Sequence, residues 1–142
     1  MKKNISLLLF LLFGFLSVHC QSSAIVGKWV TEEGDAHIQI YQKSNKFYGK
    51  IVWLKVPSSN NGALKLDSKN PDPALRTKPI LGLIILSDLA FDKGKWVNGK
   101  LYSVRMGATV NCKLSMENEN ELIVLATKTV FSQTLIWKRV KN

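Results

Sequence analysis

The chain has 142 residues, a length that fits a single domain. Hydrophobic residues at 46% and charged residues at 21% exclude a disordered chain. Two cysteines and two histidines exclude a disulfide-stapled scaffold and a His/Cys zinc site, and 20 Lys and Arg against 10 Asp and Glu give a formal net charge of +10.

The N-terminus has the three-part layout of a secretory signal peptide. Met1-Lys2-Lys3-Asn4 is a short basic start, an apolar run follows over 5–18, and His19-Cys20-Gln21-Ser22-Ser23 turns polar. The run is shorter than the ~20 apolar residues of a transmembrane helix. Cleavage after Cys20 makes Gln21 the new N-terminus and leaves one domain over 21–142. The alternative is a lipoprotein anchored through an acylated Cys20, which requires a small residue in front of the cysteine; His19 is not small. Either route predicts an exported domain, periplasmic or secreted. Processing removes two lysines and no acid, so the net charge becomes +8 and Cys112 is left without a disulfide partner.

The remainder reads as successive strands with two-residue periodicity, bounded by turn residues. A first strand covers Ile25–Thr31, with a turn at 32–35. Ala36–Gln42 alternates, with Ile38 and Ile40 on one face and His37, Gln39 and Tyr41 on the other. A hairpin turn at 43–46 leads into Phe47–Leu54. Lys55 to Pro79 holds all four prolines and is expected to be a long loop or lid, with one helical turn after Pro73. Ile80–Leu86 is apolar and flows into 88–92. Turns are expected at Lys93-Gly94-Lys95 and at Asn98-Gly99. Lys100–Val104, Thr109–Met116, Glu121–Thr127 and Val130–Val140 complete about eight strands, with no long helix. This pattern predicts an all-β fold, an antiparallel barrel or a sandwich.

Gly27-Lys28-Trp29 on the first strand and Trp137-Lys138-Arg139 on the last favour a barrel. A Gly-x-Trp near the N-terminus with a cation on the last strand resembles the closed end of lipocalin-like barrels, where the indole plugs the end and the cation lies over the ring. The alternative is a core tryptophan with an unrelated surface arginine. Longer segments carry a second resemblance: Ile25-Val26-Gly27-Lys28-Trp29, Gly49-Lys50-Ile51-Val52-Trp53-Leu54, Asn70-Pro71-Asp72-Pro73-Ala74-Leu75-Arg76, Leu81-Gly82-Leu83-Ile84-Ile85-Leu86 and Trp137-Lys138-Arg139-Val140. In order and spacing they resemble the bacterial exported family called domain of unknown function 2147. The resemblance implies a lipocalin-like β-barrel behind a signal peptide. The chain departs from the family pattern after Tyr102, where Ser103-Val104-Arg105-Met106-Gly107-Ala108 stands in place of a Gly-Lys-Thr-Tyr motif, and over 125–133, which has no glycine. The cysteine pair of some members is replaced here by Lys43 and Tyr48.

No nucleophile motif accompanies His37, so the residues point to a binding protein and not to an enzyme. Cys112 shares a face with Val110 and Leu114, the setting of an inert buried thiol. No phosphate loop, dinucleotide fingerprint or calcium loop is present, and no cofactor or metal is expected. The lysines are dispersed, which argues against nucleic acid and leaves a weak attraction to an anionic envelope surface. Two readings stay open: a monomeric barrel holding a small apolar ligand such as a fatty acid, or a filled barrel with a structural or interaction role. For the first, Ile38, Ile40, Ile51, Trp53, Val110 and Leu114 are the expected interior. Arg76 is expected either to anchor a ligand carboxylate or to clamp its own loop through Asp72; Gly27, Trp29 and Arg139 are expected to close the barrel. N-terminal sequencing of the exported protein should begin at Gln21. An acylated Cys20, or an intact Met1 in a cytoplasmic fraction, contradicts this reading.

Overall fold

Buried and exposed side chains alternate along eight strands of a computed structural model that describes residues 21–141; the expected leader, residues 1–20, lies outside them. The strands are β1 (Gly27–Val30), β2 (Ala36–Lys43), β3 (Lys46–Leu54), β4 (Ile84–Asp92), β5 (Lys95–Ser103), β6 (Ala108–Asn118), β7 (Glu121–Lys128) and β8 (Phe131–Arg139). Each pairs antiparallel with the next, and β8 returns to β1, so the sheet is a closed barrel in simple sequence order. No helix among the described residues is long and apolar enough to cross a membrane.

One end of the barrel is filled. Trp29, Ile38, Ile40, Phe47, Leu86, Leu89, Trp96, Leu114, Leu122 and Val124 are buried there, with Phe47 and Trp96 meeting edge to face at 6.4 Å. The N-terminal segment runs across this end. Its single 3-10 turn, Ser23–Ile25, buries Ile25 and supplies backbone acceptors for two buried indoles. Trp29 Nε1 donates to the Ile25 carbonyl at 2.8 Å, and Trp96 Nε1 donates to the Ser22 carbonyl at 2.9 Å. Neither indole N–H is thus buried without a partner, which would cost about 1–3 kcal/mol.

The seam between the first and last strands is short. Only Trp29↔Arg139 and Val30↔Lys138 pair across it. Arg139 reinforces the seam with its side chain. The guanidinium lies 4.2 Å from the Trp29 ring centroid and donates to the carbonyls of Glu119 (2.6 Å), Val26 (3.2 Å) and Ala24 (2.8 Å). Gly27 has φ +138°, and a Cβ there would sit 2.7 Å from Arg139 Nη1. Glycine is needed at this position for both its backbone angle and its missing side chain.

Three expected elements differ in the structure. Asn98-Gly99 is not a turn between strands but lies inside β5, where the register with β6 shifts and Asn98 adopts φ 59°. Such a bulge adds a residue and sharpens the twist, and asparagine tolerates the left-handed conformation. The expected strand over 80–86 begins only at Ile84, because Gly82 at φ +89° turns the chain first. Trp53 is not interior. His37 pairs with Trp53 but Ile38 pairs with Ile51, so Val52 is an extra residue. The bulge reverses the alternation, and both Val52 and Trp53 face outward, Trp53 at 42% exposure.

Trp29→Ala should cost about 3–5 kcal/mol in urea unfolding, as a large-to-small change in a packed core. Arg139→Ala should cost about 1–3 kcal/mol, because its acceptors can be rehydrated. Equal losses for the two would contradict a seam in which the indole is core and the guanidinium its cover.

A candidate ligand cavity at the open end

The opposite end of the barrel is open. A cavity of about 380 Å3 lies inside it, walled by Ile51, Ile85, Leu101, Val110, Ala126, Leu135 and Trp137. These side chains come from β3 to β8 and point inward by the same alternation that fills the other end. Trp137, 2% exposed, contributes an indole to this wall, and Tyr102 also lines the cavity.

The rim consists of the β1–β2 turn, the β5–β6 turn and the first residues of β8, and it carries all the charge. Glu32, Glu33 and Asp35 stand on the first turn, and Arg105 and Met106 on the second. Arg105 is ion-paired with Glu33 through both carboxylate oxygens, and its Nη2 lies 3.8 Å from Asp35 Oδ2. The hydrogen bond to Glu33, with the attraction of that carboxylate and of Asp35, raises the guanidinium pKa above its ordinary value. All three groups are well exposed, so the pair sets the rim's geometry more than its stability. Thr31 Oγ1 donates to Asp35 Oδ1 at 2.6 Å, and the Ile136 amide donates to Glu32 Oε1 at 3.2 Å. With three acids against one arginine, this part of the rim is acidic although the chain is basic.

The long connection between β3 and β4 is a strap held beside the mouth; none of its residues lines the cavity. Two polar residues anchor it, Asp67 (1% exposed) and Asn70. Asp67 accepts from Tyr102 Oη on β5 at 2.7 Å and from Asn70 Nδ2 at 2.7 Å. Asn70 Oδ1 accepts from the Asp72 amide, and Asp72 in turn caps the single 3-10 turn Pro73–Leu75 by accepting from the Ala74 amide. Gly107 lies so close to the strap that a Cβ there would collide with the Lys69 backbone, and Lys69 Nζ donates to the Arg105 carbonyl at 2.9 Å. The strap therefore positions the turn that carries Arg105. Burial, then the hydrogen bond to Asp67, pushes the Tyr102 hydroxyl up to about 12.

The sequence-selected residues fall into three groups. Ile51 and Val110 line the cavity. Ile38, Ile40 and Leu114 are interior but belong to the filled end. Trp53 and Arg76 belong to neither. Trp53 stacks on His37 outside the barrel, with ring centroids 4.4 Å apart. Arg76 is an exposed loop clamp, and its Nε donates to the Asn70 carbonyl at 2.8 Å rather than to Asp72. Arg105 takes the place at the mouth that was expected of Arg76. Burial pushes the Cys112 thiol up to about 12, which keeps it protonated. Sequence reasoning missed Ile85, Leu101, Leu135 and Trp137, although each sits on the inward parity of its strand. The pairing of Arg105 with Glu33, 72 residues apart, left no local signal.

With this geometry established, the comparisons are specific. Residues 27–139 match the family described as uncharacterized protein conserved in bacteria, domain of unknown function 2147, and the chain belongs to that family. The match runs through the divergent segment after Tyr102. No curated protein matches the sequence. Among solved structures, the chain is similar to a protein from the human pathogen Helicobacter pylori described as belonging to the lipocalin family. The two share 24% identity over 83% of this chain and 84% of the other, with a TM-score of 0.70, a likeness of fold. The protein is thus a bacterial lipocalin-like β-barrel.

Tyr102→Phe removes one of two side-chain donors from buried Asp67 and should cost about 1–3 kcal/mol at neutral pH. A hydroxyl whose folded pKa is raised from 10.0 to about 12 contributes stability below pH 10 and loses it as the pH rises towards 12. The wild type should therefore lose stability over this window more steeply than Tyr102→Phe, as followed by denaturant unfolding and tyrosinate absorbance. Parallel curves would show that the hydroxyl is not held by Asp67.

Proposed function

We propose that this protein is a non-enzymatic binding protein that holds a small apolar or amphipathic ligand in the open half of its barrel. The cavity carries the reading. Its volume of about 380 Å3 falls within the ~300–1,000 Å3 of small-molecule sites, and its wall is apolar. A charged group deep in such a wall would be desolvated without a partner. The polar part of a ligand therefore belongs at the rim. A fatty acid is the less favoured amphiphile there: its carboxylate would meet Glu32, Glu33 and Asp35, and Arg105 is already paired with Glu33. A neutral or cationic polar end suits this rim better. The layout of residues 1–20 supports action outside the cytoplasm after export.

Delipidated protein titrated with dodecanol, dodecylamine and dodecanoate tests the proposal, with Trp137 as the interior reporter and Trp53→Phe used to remove the exposed indole. Saturable fluorescence changes at micromolar ligand are expected, with dodecanoate the weakest of the three. Val110→Trp, which fills the cavity, should abolish them. Unsaturable signals, or equal binding by Val110→Trp, would leave the barrel with a structural role.

A further inference from the structure

A second concavity lies on the outside of the barrel. It is a trough of about 570 Å3 on β5, β6 and β7, and it shares no lining residue with the interior cavity. The β5 bulge at Asn98-Gly99 forms one wall, and β6 and β7 continue it. Two cross-strand rows run through or beside it. Lys100 pairs with Asn111, Asn111 with Thr127, and Thr127 with Ser132; Lys113 pairs with Leu125. Lys100 Nζ donates to Asn111 Oδ1 at 2.6 Å, and the Thr127 and Ser132 hydroxyls lie 3.4 Å apart. No acidic side chain lines the trough, and among the described residues neither Lys100 nor Lys113 is ion-paired.

We infer that this trough is a binding site for an acidic saccharide, a polyhydroxylated ligand carrying carboxylate or phosphate groups. The two ammonium groups supply the anion contacts. Each lysine has three donors, and Lys100 spends one on Asn111. The Asn98 and Asn111 amides and the Thr127 hydroxyl both donate and accept, which is what sugar hydroxyls require. Side chains on neighbouring strands repeat at about 4.8 Å, close to the length of one sugar ring, so successive rings of an oligosaccharide can meet successive strands. Gly99, Cys112 and the apolar portions of Val97 and Leu125 complete the lining, where ring C–H groups can rest. A flat bilayer surface fits less well, because the lining includes the half-buried Val97, Leu125 and Thr127 between the exposed lysines, which a planar headgroup layer would leave uncontacted. The site does not depend on a ligand in the barrel interior.

The test uses the full-length chain, titrated with tetragalacturonate, with neutral maltotetraose and with phosphatidylglycerol vesicles. The readout is the NMR shift of the Asn98 and Asn111 side-chain amides and the Gly99 backbone amide. Tetragalacturonate should saturate these shifts and maltotetraose should not. Lys100→Glu/Lys113→Glu should weaken binding by about tenfold or more, the loss expected for charge-assisted contacts. Lys28→Glu/Lys43→Glu makes the same change in net charge away from the trough and should leave affinity within about twofold. Equal weakening by the two double variants would reduce the effect to net charge and overturn the site. So would equal binding of maltotetraose, binding of vesicles alone, or no saturable shift.

Discussion

An arginine laid over a tryptophan closes this barrel. The backbone alone joins β1 to β8 through two residue pairs, fewer than join any other neighbouring strands. Arg139 compensates by covering the Trp29 ring and by reaching carbonyls on the N-terminal segment and on the β6–β7 turn. The ring contact alone supplies about 0.5–2 kcal/mol, and the hydrogen bonds add to it. Gly27 makes room for the guanidinium, so three residues at opposite ends of the sequence form one joint. Without that joint the sheet would have two edges, β1 and β8, open to pairing with other chains.

Closing one end in this way divides the labour of the interior. Trp29, Trp96, Phe47 and the aliphatic side chains at the closed end supply the packed core of a domain whose described cysteine, Cys112, forms no disulfide. The open end is left with largely apolar walls around a cavity large enough for a small molecule. The mouth is fixed by polar contacts. Asp67, held by Tyr102 and Asn70, fastens the strap, and the strap supports the turn that presents Arg105 to Glu33. A rim tied down in this way keeps its charges in place, which would lower the ordering cost of binding the proposed ligand.

What the sequence revealed and what it hid follow from the range of the interactions. Strand alternation is a local property, so eight strands, the inward faces of β2 and β6, and the hairpin turn within 43–46 were legible. The Trp29–Arg139 pair was legible because its residues mark the first and last strands in a recurring pattern. Bulges were not: one extra residue at Val52 sent Trp53 outward, and a left-handed Asn98 made an Asn-Gly pair a kink within β5. Parity also could not tell the filled end from the open one. Ile38 and Ile51 pair directly across β2 and β3, yet only Ile51 lines the cavity. The Tyr102–Asp67 and Arg105–Glu33 contacts join residues 35 and 72 positions apart and exist only once the strap has docked.

The central claim is that one half of the barrel interior is core and the other half a ligand site. Methyl-resolved NMR of the isoleucine, leucine and valine side chains during addition of dodecanol measures this directly. The account predicts saturable shifts at Ile51, Ile85, Leu101, Val110 and Leu135, with Ile38, Ile40, Leu114 and Leu122 nearly unmoved. Shifts spread evenly over both groups, or absent from both, would contradict it.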